Sequence, residues 1–372
     1  MNKILTLVFT GLIFIYACGK STNHTISKIG STNSSGKLEG TSEMAFPRSG
    51  HSATLLPNGD VLIAGGMEKN RVFHNSAEIF SPKTNLFTPA QNLNRKRVGH
   101  VSVLLKDGKV LILGGFGDDG ILSSAELFDP NTGLFENIES MKFKRGDFSA
   151  TLLNNGTVLI TGGEGESDVP LLSAEIYDPS TGLFTMTGNM NSARTMHTAT
   201  LLNNGKVLIA GGGSYQNPLS SAEIYNPDTK VFTNTGSMSG SIYKHAAVKL
   251  NNGDVMIMGG SDGKDWNGNL LNTQLYNVQT AVFSKSGDML EARFKITNSV
   301  VLLQSGNILI SGGYKQSEIY NTKENSFNNV NGEMDLARYY STATLLNDGR
   351  VLITGGYDTQ GIATNKAWIF NE

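Results

Sequence analysis

The hydrophobic and polar positions of this chain recur with a period of about fifty residues. Each copy holds an apolar run that ends in two glycines, such as Val207 to Gly212, and a more polar segment such as HTATLL precedes it. The glycine pairs lie at Gly65-Gly66, Gly114-Gly115, Gly162-Gly163, Gly211-Gly212, Gly259-Gly260, Gly312-Gly313 and Gly355-Gly356. The chain is therefore predicted to consist of seven repeats that bury their apolar strands against one another.

The pattern within each copy predicts four short antiparallel strands, which we name A to D. In six copies Asn-Gly or Asp-Gly joins strands A and B, and these dipeptides are typical of a two-residue type I′ turn with positive φ at both centres. The pairs are Asn58-Gly59, Asp107-Gly108, Asn155-Gly156, Asn204-Gly205, Asn252-Gly253 and Asp348-Gly349, with Ser305-Gly306 in the remaining copy. Strand B is apolar on both faces, so we expect neighbouring sheets to cover both of them.

The glycine pair that ends strand B, an aromatic residue that opens strand D and the period together resemble the kelch repeat, over residues 37–372. Kelch repeats usually carry Trp at the aromatic position, and this chain carries Phe87, Phe135, Phe184, Phe232, Phe283 and Phe327. The resemblance implies an all-β fold, a single seven-bladed β-propeller of four-stranded antiparallel blades. It implies no activity by itself, because one fold hosts many functions.

The segment Lys37 to Met44 resembles the end of other copies, since Leu38 precedes Met44 by the same spacing as Phe184 precedes Met190. The last copy ends after KAWIF without a strand D of its own. We therefore expect the N-terminal segment to supply the outer strand of the last blade and so to close the propeller without an open edge.

The N-terminal residues predict export and a lipid anchor. Residues 1–17 have a lysine followed by an apolar stretch, as in a secretory signal peptide. Ile15-Tyr16-Ala17-Cys18 resembles the lipobox of bacterial lipoproteins, which implies lipidation of Cys18; the alternative is an ordinary signal with a chance cysteine. Residues 18–36 are rich in Ser, Thr, Asn and Gly and predict a flexible tether. We expect a protein held in the bacterial cell envelope, at the outer membrane or the cell surface.

The composition limits the kinds of partner that we expect this chain to bind. The net charge is −2 and the copies carry no basic run, so we expect no nucleic-acid partner. The single cysteine leaves no disulfide within the chain. We expect a monomer that contacts the membrane through its N-terminal lipid only.

A repeated arginine marks the face that carries the variable B–C loops and the D–A crossings. It occurs at Arg48, Arg97, Arg145, Arg194, Arg293 and Arg338, with Ile242 in the fifth copy. This ring predicts either an anion site or ion pairs with the strand C glutamates, and we favour the pairs because the fifth copy lacks both charges. In the seventh copy Trp368 takes the glutamate position, so we expect Arg338 to be free for a ligand, stacked on Trp368.

Other candidate residues give weaker signals. Trp266 and Tyr215 lie in neighbouring variable loops and predict a stacking platform for a sugar, beside Arg48, Arg338 and Trp368 as ligand-binding candidates. Repeated histidines, at His51, His100, His197 and His245, are interpreted as packed and hydrogen-bonded rather than as metal ligands. Glu164, Glu166 and Asp168 resemble an acid–base cluster but are interpreted as solvated. We assign no catalytic residue, no metal and no cofactor.

Two functions remain open on the sequence. The first is a binding module that presents its B–C loop face to a protein or carbohydrate ligand, with an anionic ligand as one option. The second is a sugar-active enzyme, since some kelch propellers are sugar oxidases or sialic-acid epimerases. The copper oxidases need a cysteine cross-linked to a tyrosine, and Cys18 is in the wrong place. We therefore lean against an enzyme, and if there is one we expect it to be epimerase-like.

Overall fold

A computed structural model describes residues 36–214, 216–263 and 270–372. These residues form seven four-stranded antiparallel sheets. None of the helices within the described part of the chain is both long and apolar enough to span a membrane. The predicted signal peptide at 1–17, and all of the predicted tether except Gly36, lie outside the described residues.

The chain begins with a strand that belongs to the last blade and then builds the blades in order. This first strand is β1 (Lys37–Gly40). Blade one contains β2 (Ser52–Leu55), β3 (Val61–Ala64), β4 (Ala77–Ser81) and β5 (Leu86–Pro89). Blade two contains β6 (Val101–Leu104), β7 (Val110–Leu113), a small loop hairpin of β8 (Phe116–Gly117) and β9 (Gly120–Ile121), and then β10 (Ala125–Asp129) and β11 (Leu134–Ile138). Blade three contains β12 (Ser149–Leu152), β13 (Val158–Thr161), β14 (Ala174–Asp178) and β15 (Leu183–Met186).

The remaining four blades follow the same order. Blade four contains β16 (Thr198–Leu201), β17 (Val207–Ala210), β18 (Ala222–Asn226) and β19 (Val231–Asn234). Blade five contains β20 (Ala246–Lys249), β21 (Val255–Met258), β22 (Leu270–Asn277) and β23 (Val282–Arg293). Blade six contains β24 (Val300–Leu302), β25 (Ile308–Ile310), β26 (Glu318–Asn321) and β27 (Ser326–Asn329), and blade seven contains β28 (Thr342–Leu345), β29 (Val351–Thr354) and β30 (Ala367–Asn371). Single 3₁₀ turns at Lys69–Arg71 and Glu166–Asp168 lie in the first and third B–C loops.

The seven A strands surround a common axis, because each contacts the A strand of the next blade and β2 contacts β28. The ring closes as expected: β1 pairs with β30, with Leu38 opposite Phe370. The N-terminal strand thus becomes strand D of blade seven and removes the open edge that β30 would otherwise expose.

The core lies between neighbouring blades. Strand B is fully buried in every blade, which confirms the interpretation of its apolar sequence. In six blades an aromatic residue of strand C packs against the phenylalanine that opens strand D. The ring centroids are 4.7–4.9 Å apart, as between Tyr177 and Phe184. These stacked rings occupy the position that Trp usually fills in kelch repeats.

The glycine pairs are required by both conformation and space. Gly65 and Gly66 have φ of 64° and 99°, in the left-handed region that favours glycine. A Cβ on Gly66 would lie 2.9 Å from the Cβ of His51, and a Cβ on Gly65 would lie 2.6 Å from the carbonyl oxygen of Arg97. The pair therefore lets strand B end directly against the crossing into the next blade.

The predicted two-residue turns between strands A and B are wrong in type. In blade one Leu56 pairs with Asp60, so three residues form the loop; Gly59 has φ of 89°, but Asn58 is not in the left-handed region. The side-chain oxygen of Asn58 instead accepts a hydrogen bond from the main-chain amide of Asp60. In each of the other five pairs the side-chain oxygen of the Asn or Asp likewise accepts a hydrogen bond from the main-chain amide two residues later. This is a turn with a following glycine bulge, held by an Asx turn.

Candidate functional site

The B–C loops and the D–A crossings form one rigid face. In six blades the residue after the arginine position, or after Ile242, makes an antiparallel bridge to the residue that follows the glycine pair. The bridges are Ser49 to Met67, Val98 to Phe116, Gly146 to Glu164, Thr195 to Gly213, Tyr243 to Ser261 and Tyr339 to Tyr357. Each crossing is thus fastened to the loop of its own blade, and the face does not depend on long loops for its shape.

One residue per blade surrounds the axis on this face, and we call these seven residues the mouth ring. The mouth ring consists of Gly50, Gly99, Asp147, Met196, Lys244, Lys295 and Tyr340. All seven have φ between 46° and 61°, although five of them are not glycine. Six main-chain hydrogen bonds of 2.8–3.1 Å join members from neighbouring blades, for example from the amide of Lys295 to the carbonyl oxygen of Lys244.

The mouth ring opens into a channel of about 430 Å³ along the axis. The lining of the channel mixes small apolar side chains with hydroxyl and amide groups, which come from the A strands and the residues just before them, at Ser52, Ser102, Ser149, Thr198, Thr200, Thr297, Asn298 and Thr342. A left-handed residue that is not glycine costs on the order of 1 kcal/mol. Since the conformation repeats in every blade, it is a property of the frame, whereas the side chains differ and determine what the mouth binds.

The side chains of the mouth ring carry opposite charges in different blades. Burial raises the pKa of Asp147, although Lys244 and Lys295 act in the opposite direction. Burial lowers the pKa of Lys244, with Asp147 and Glu164 opposing the shift. Burial, and then the charge of Lys244, lower the pKa of Lys295 to about 8. These three charged groups therefore interact electrostatically across the mouth.

Lys295 lies in a cage of four aromatic rings. Its Nζ lies 4.6 Å from the ring centroid of Phe294, 5.2 Å from that of Tyr357, 5.6 Å from that of Tyr339 and 5.8 Å from that of Tyr340. It also makes a 2.6 Å hydrogen bond with the hydroxyl of Tyr357. The cage orients the amine and shields it from water.

Glu164 forms the acidic side of the mouth, in blade three. Burial raises its pKa to about 7, and the charges of Asp147 and Asp168 add to the shift. Glu166 differs, because Lys144 pairs with it at 2.8 Å on the exposed surface and lowers its pKa. The interpretation of these carboxylates as solvated is thus wrong for Glu164, which is buried beside the mouth ring, and holds for Glu166 and Asp168, which are exposed.

A model of the Kelch motif matches residues 47–94, 97–142 and 194–239. The resemblance to the kelch repeat is thus confirmed in three copies. The seven four-stranded blades form the propeller that this resemblance implies. No curated protein matches it. Among solved structures, a fungal alcohol oxidase of the AA5 family in complex with copper is 16% identical, with a TM-score of 0.74 over 90% of this chain and 76% of that chain.

This likeness shows the fold of the kelch propeller alone. Within the described residues there is no group of three or more His, Cys, Asp or Glu side chains that could hold a metal ion. The repeated histidines are packed, as interpreted from the sequence: each bonds a Ser or Thr hydroxyl through Nε2, for example His100 to Ser52 at 2.9 Å.

The arginine ring is mainly scaffold, which confirms the pairing within blades. Five of the arginines are fully buried and form ion pairs with strand C glutamates of the same blade, at N to O distances of 2.6–2.9 Å. The pairs are Arg48 with Glu78, Arg97 with Glu126, Arg145 with Glu175, Arg194 with Glu223 and Arg293 with Glu318. Arg48 therefore has no free charge to offer to a ligand.

The expectation that Arg338 is unpaired and stacked on Trp368 is wrong. Arg338 is 4% exposed, and its guanidinium bonds both carboxylate oxygens of Asp335 at 2.8 Å. Trp368 is buried in the hydrophobic core between blades six and seven. Asp335 takes the role of the missing glutamate because it lies three residues before Arg338 in the same crossing. A ligand-binding role for Arg338 or Trp368 stays a prediction, but an unpaired Arg338 no longer supports it.

Tyr215 and Trp266 lie outside the described residues, and so does Cys18. The sugar platform and the lipidation site therefore stay predictions. No shared residue type in the sequence marks the mouth ring, and none of its members was expected there. The available signal was position, since each member follows the arginine position by two residues, but its side chains share no chemistry.

Proposed function

We propose that this kelch propeller is a binding module whose ligand site is the mouth ring and the B–C loops around it. The observation that carries the proposal is that Lys244 and Lys295 are neighbours in the mouth ring, at the entrance of the channel that Lys244 lines. Two amines on a rigid frame favour a ligand with a carboxylate, sulfate or phosphate group. Partners of this kind include anionic carbohydrates and acidic protein segments.

The acidic side of the mouth supports an oriented ligand. Asp147 and Glu164 lie in blade three, whereas the lysines lie in the crossings into blades five and six. Because the pKa of Glu164 is about 7, this carboxyl is half protonated near neutral pH and repels an anion only weakly. The aromatic rings around Lys295 add a surface on which a sugar ring or an aromatic side chain packs.

The test is a binding screen of the full chain, in detergent, against arrayed anionic and neutral glycans and acidic peptides. The variant with Lys244→Ala and Lys295→Ala is expected to lose at least tenfold in affinity for any anionic hit. A matched variant with Lys83→Ala and Lys323→Ala removes the same charge from exposed C–D turns on the opposite face and is expected to bind normally. Equal losses in both variants would show that only net charge matters and would reject the mouth as the site.

The proposal includes a lipid anchor at Cys18 that presents the propeller outside the cytoplasm. Its support is the lipobox-like sequence Ile15-Tyr16-Ala17-Cys18. Multiple acyl chains give firm anchoring, whereas one chain binds only marginally. Replacing Cys18 with Ser is expected to release the protein from the membrane fraction or leave it unprocessed, and unchanged attachment and gel mobility would contradict the anchor.

A sugar-active enzyme is the second candidate. The observation in its favour is that Lys295 belongs to the mouth ring and Glu164 lies beside it, bridged to Gly146, and their pKa values of about 8 and about 7 suit an acid and a base near neutral pH. An epimerase that exchanges a proton at carbon would incorporate deuterium from D₂O into a reducing sugar, which NMR detects. Absence of exchange across a panel of aldoses, ketoses and their acids would reject this candidate.

A further inference from the structure

Lys295 is placed as a nucleophile rather than as a simple surface cation. Within the described part of the chain, Lys244 and Lys295 are the two lysines whose pKa is lowered. Lys295 is half-buried, and its main chain belongs to the mouth ring. Four aromatic rings limit its hydration, and the hydroxyl of Tyr357 contacts the same nitrogen at 2.6 Å.

An amine attacks carbon only when it is neutral, and this environment favours the neutral form more than water does. The rings remove water from Nζ, and the neighbouring Lys244 repels a second positive charge. Tyr357 stays a phenol because burial raises its pKa, so it retains a proton next to the nitrogen. A neighbouring cation that favours the neutral amine and a phenol that can relay protons both assist imine formation.

We propose that Lys295 forms an imine with a small aldehyde or ketone that enters the channel mouth. Nζ attacks the carbonyl carbon, and one amine proton passes through the Tyr357 hydroxyl to the carbonyl oxygen. The C–O bond then breaks, and the oxygen leaves as water with the second amine proton. An amine and a carbonyl thus give an imine and water, with no net oxidation or reduction.

The mouth also suits the product. When the imine is protonated it carries a positive charge at the position that the ammonium held, and the faces of the four rings stabilise that charge. Asp147 lies close enough to act on the pKa of Lys295 and supplies the counter-charge. Polar side chains of the channel that are exposed, at Thr297 and Asn298, can hydrogen-bond the remainder of a hydroxylated carbonyl compound.

The experiment traps the imine by reduction. The full chain in detergent is incubated with glycolaldehyde and cyanoborohydride at pH 7.5, and the modified lysines are identified by peptide mass spectrometry over time. Lys295 is expected to be labelled at least ten times faster than Lys142 and Lys323, which are exposed, and its labelling rate is expected to rise with pH through about 8. Labelling of Lys295 at the same rate as Lys142 would overturn the proposal.

Two variants separate chemistry from folding. Tyr357→Phe keeps the ring and the amine but removes the hydroxyl, so we expect Lys295 to be labelled at least fivefold more slowly in a protein that melts normally. Lys295→Arg keeps the positive charge but has no amine that can form an imine, so we expect it to abolish trapping at this position in a protein that melts normally. This inference rests on the mouth as the functional site but not on an anionic ligand. Trapping without anion binding would reject only the binding proposal, and binding without trapping only the imine.

Discussion

At the scale of single residues, the buried arginines show how one side chain can fasten a blade. Arg145 donates hydrogen bonds to the carbonyl oxygens of Gly162 and Ser173, to the hydroxyl of Ser173 and to the carboxylate of Glu175. It therefore links the D–A crossing, the glycine pair and strand C. A buried charge with so many partners is costly to remove, because its carboxylate partner stays behind without a counter-charge.

The arginine pairs give a residue-level prediction with an internal control. Arg145→Ala leaves Glu175 buried without its cation and should lower the free energy of unfolding by about 3 to 5 kcal/mol. Arg338→Ala should lower the free energy of unfolding by only about 1 kcal/mol, because Asp335 is partly exposed and still forms its ion pair with Lys366 at 2.9 Å. Urea unfolding of both variants measures the difference. Equal losses would show that Asp335 supports Arg338 as firmly as Glu175 supports Arg145.

How much of the site could be predicted also depends on single residues. The pairing of Arg145 with Glu175 was predictable because blade five lacks both charges, so the copies served as controls for one another. The pairing of Arg338 was not, because Asp335 lies outside the repeated pattern. The mouth ring was not predictable either: Gly50, Met196 and Lys244 share a backbone conformation, and conformation at a single position leaves no compositional signal when the side chain varies.

At the scale of elements, the pattern of apolar residues predicted the strands well because strand B is buried on both faces in every blade. The turn type was predicted wrongly because Asn-Gly suits two kinds of hairpin loop. In this chain the Asn side chain bonds an amide two residues on, as Asn204 does with Lys206, and that bond favours the three-residue loop. Local sequence thus gave the hairpin, but a side-chain contact selected its geometry.

The N-terminal strand gives a prediction at this scale. Deleting residues 37–44 removes β1 and exposes the edge of β30, and it also removes the buried side chains of Leu38 and Met44. We expect a lower melting temperature and concentration-dependent aggregation. Deletion of residues 19–32 is the control and should leave the melting temperature and the aggregation behaviour unchanged. Light scattering and thermal melts decide, and a monomeric 37–44 deletion with an unchanged melt would contradict closure by β1.

At the scale of the whole molecule, the histidines place a pH-sensitive group between neighbouring blades. Burial is the main cause that lowers the pKa of each, to about 3 for His100 and His245. The unfolded chain takes up protons on these residues below pH 6.5, whereas the folded chain does not. Stability is therefore expected to fall as the pH falls from 6.5, by about 1.4 kcal/mol per pH unit for each histidine.

Another interface of the same propeller supplies the variant that tests this expectation. His100 bonds Ser52 across blades one and two, and the corresponding residues across blades two and three are Phe148 and Val101, which pack in one hydrophobic cluster. The double substitution His100→Phe with Ser52→Val copies that apolar pair and leaves no buried polar group unpaired.

Urea unfolding of the wild type and the double variant between pH 4.5 and 7.5 measures the effect of one histidine. Below pH 6.5 the double variant should lose stability more slowly with falling pH, by about 1.4 kcal/mol per pH unit, because its unfolded state binds one proton fewer. The contributions of Glu164 and Asp147 have the opposite sign, since their raised pKa values make the folded state bind more protons, but they are the same in both proteins and cancel in the comparison. Parallel curves would mean that His100 takes up its proton within the folded propeller, and the interfaces between blades would then tolerate a charge that their burial is expected to exclude.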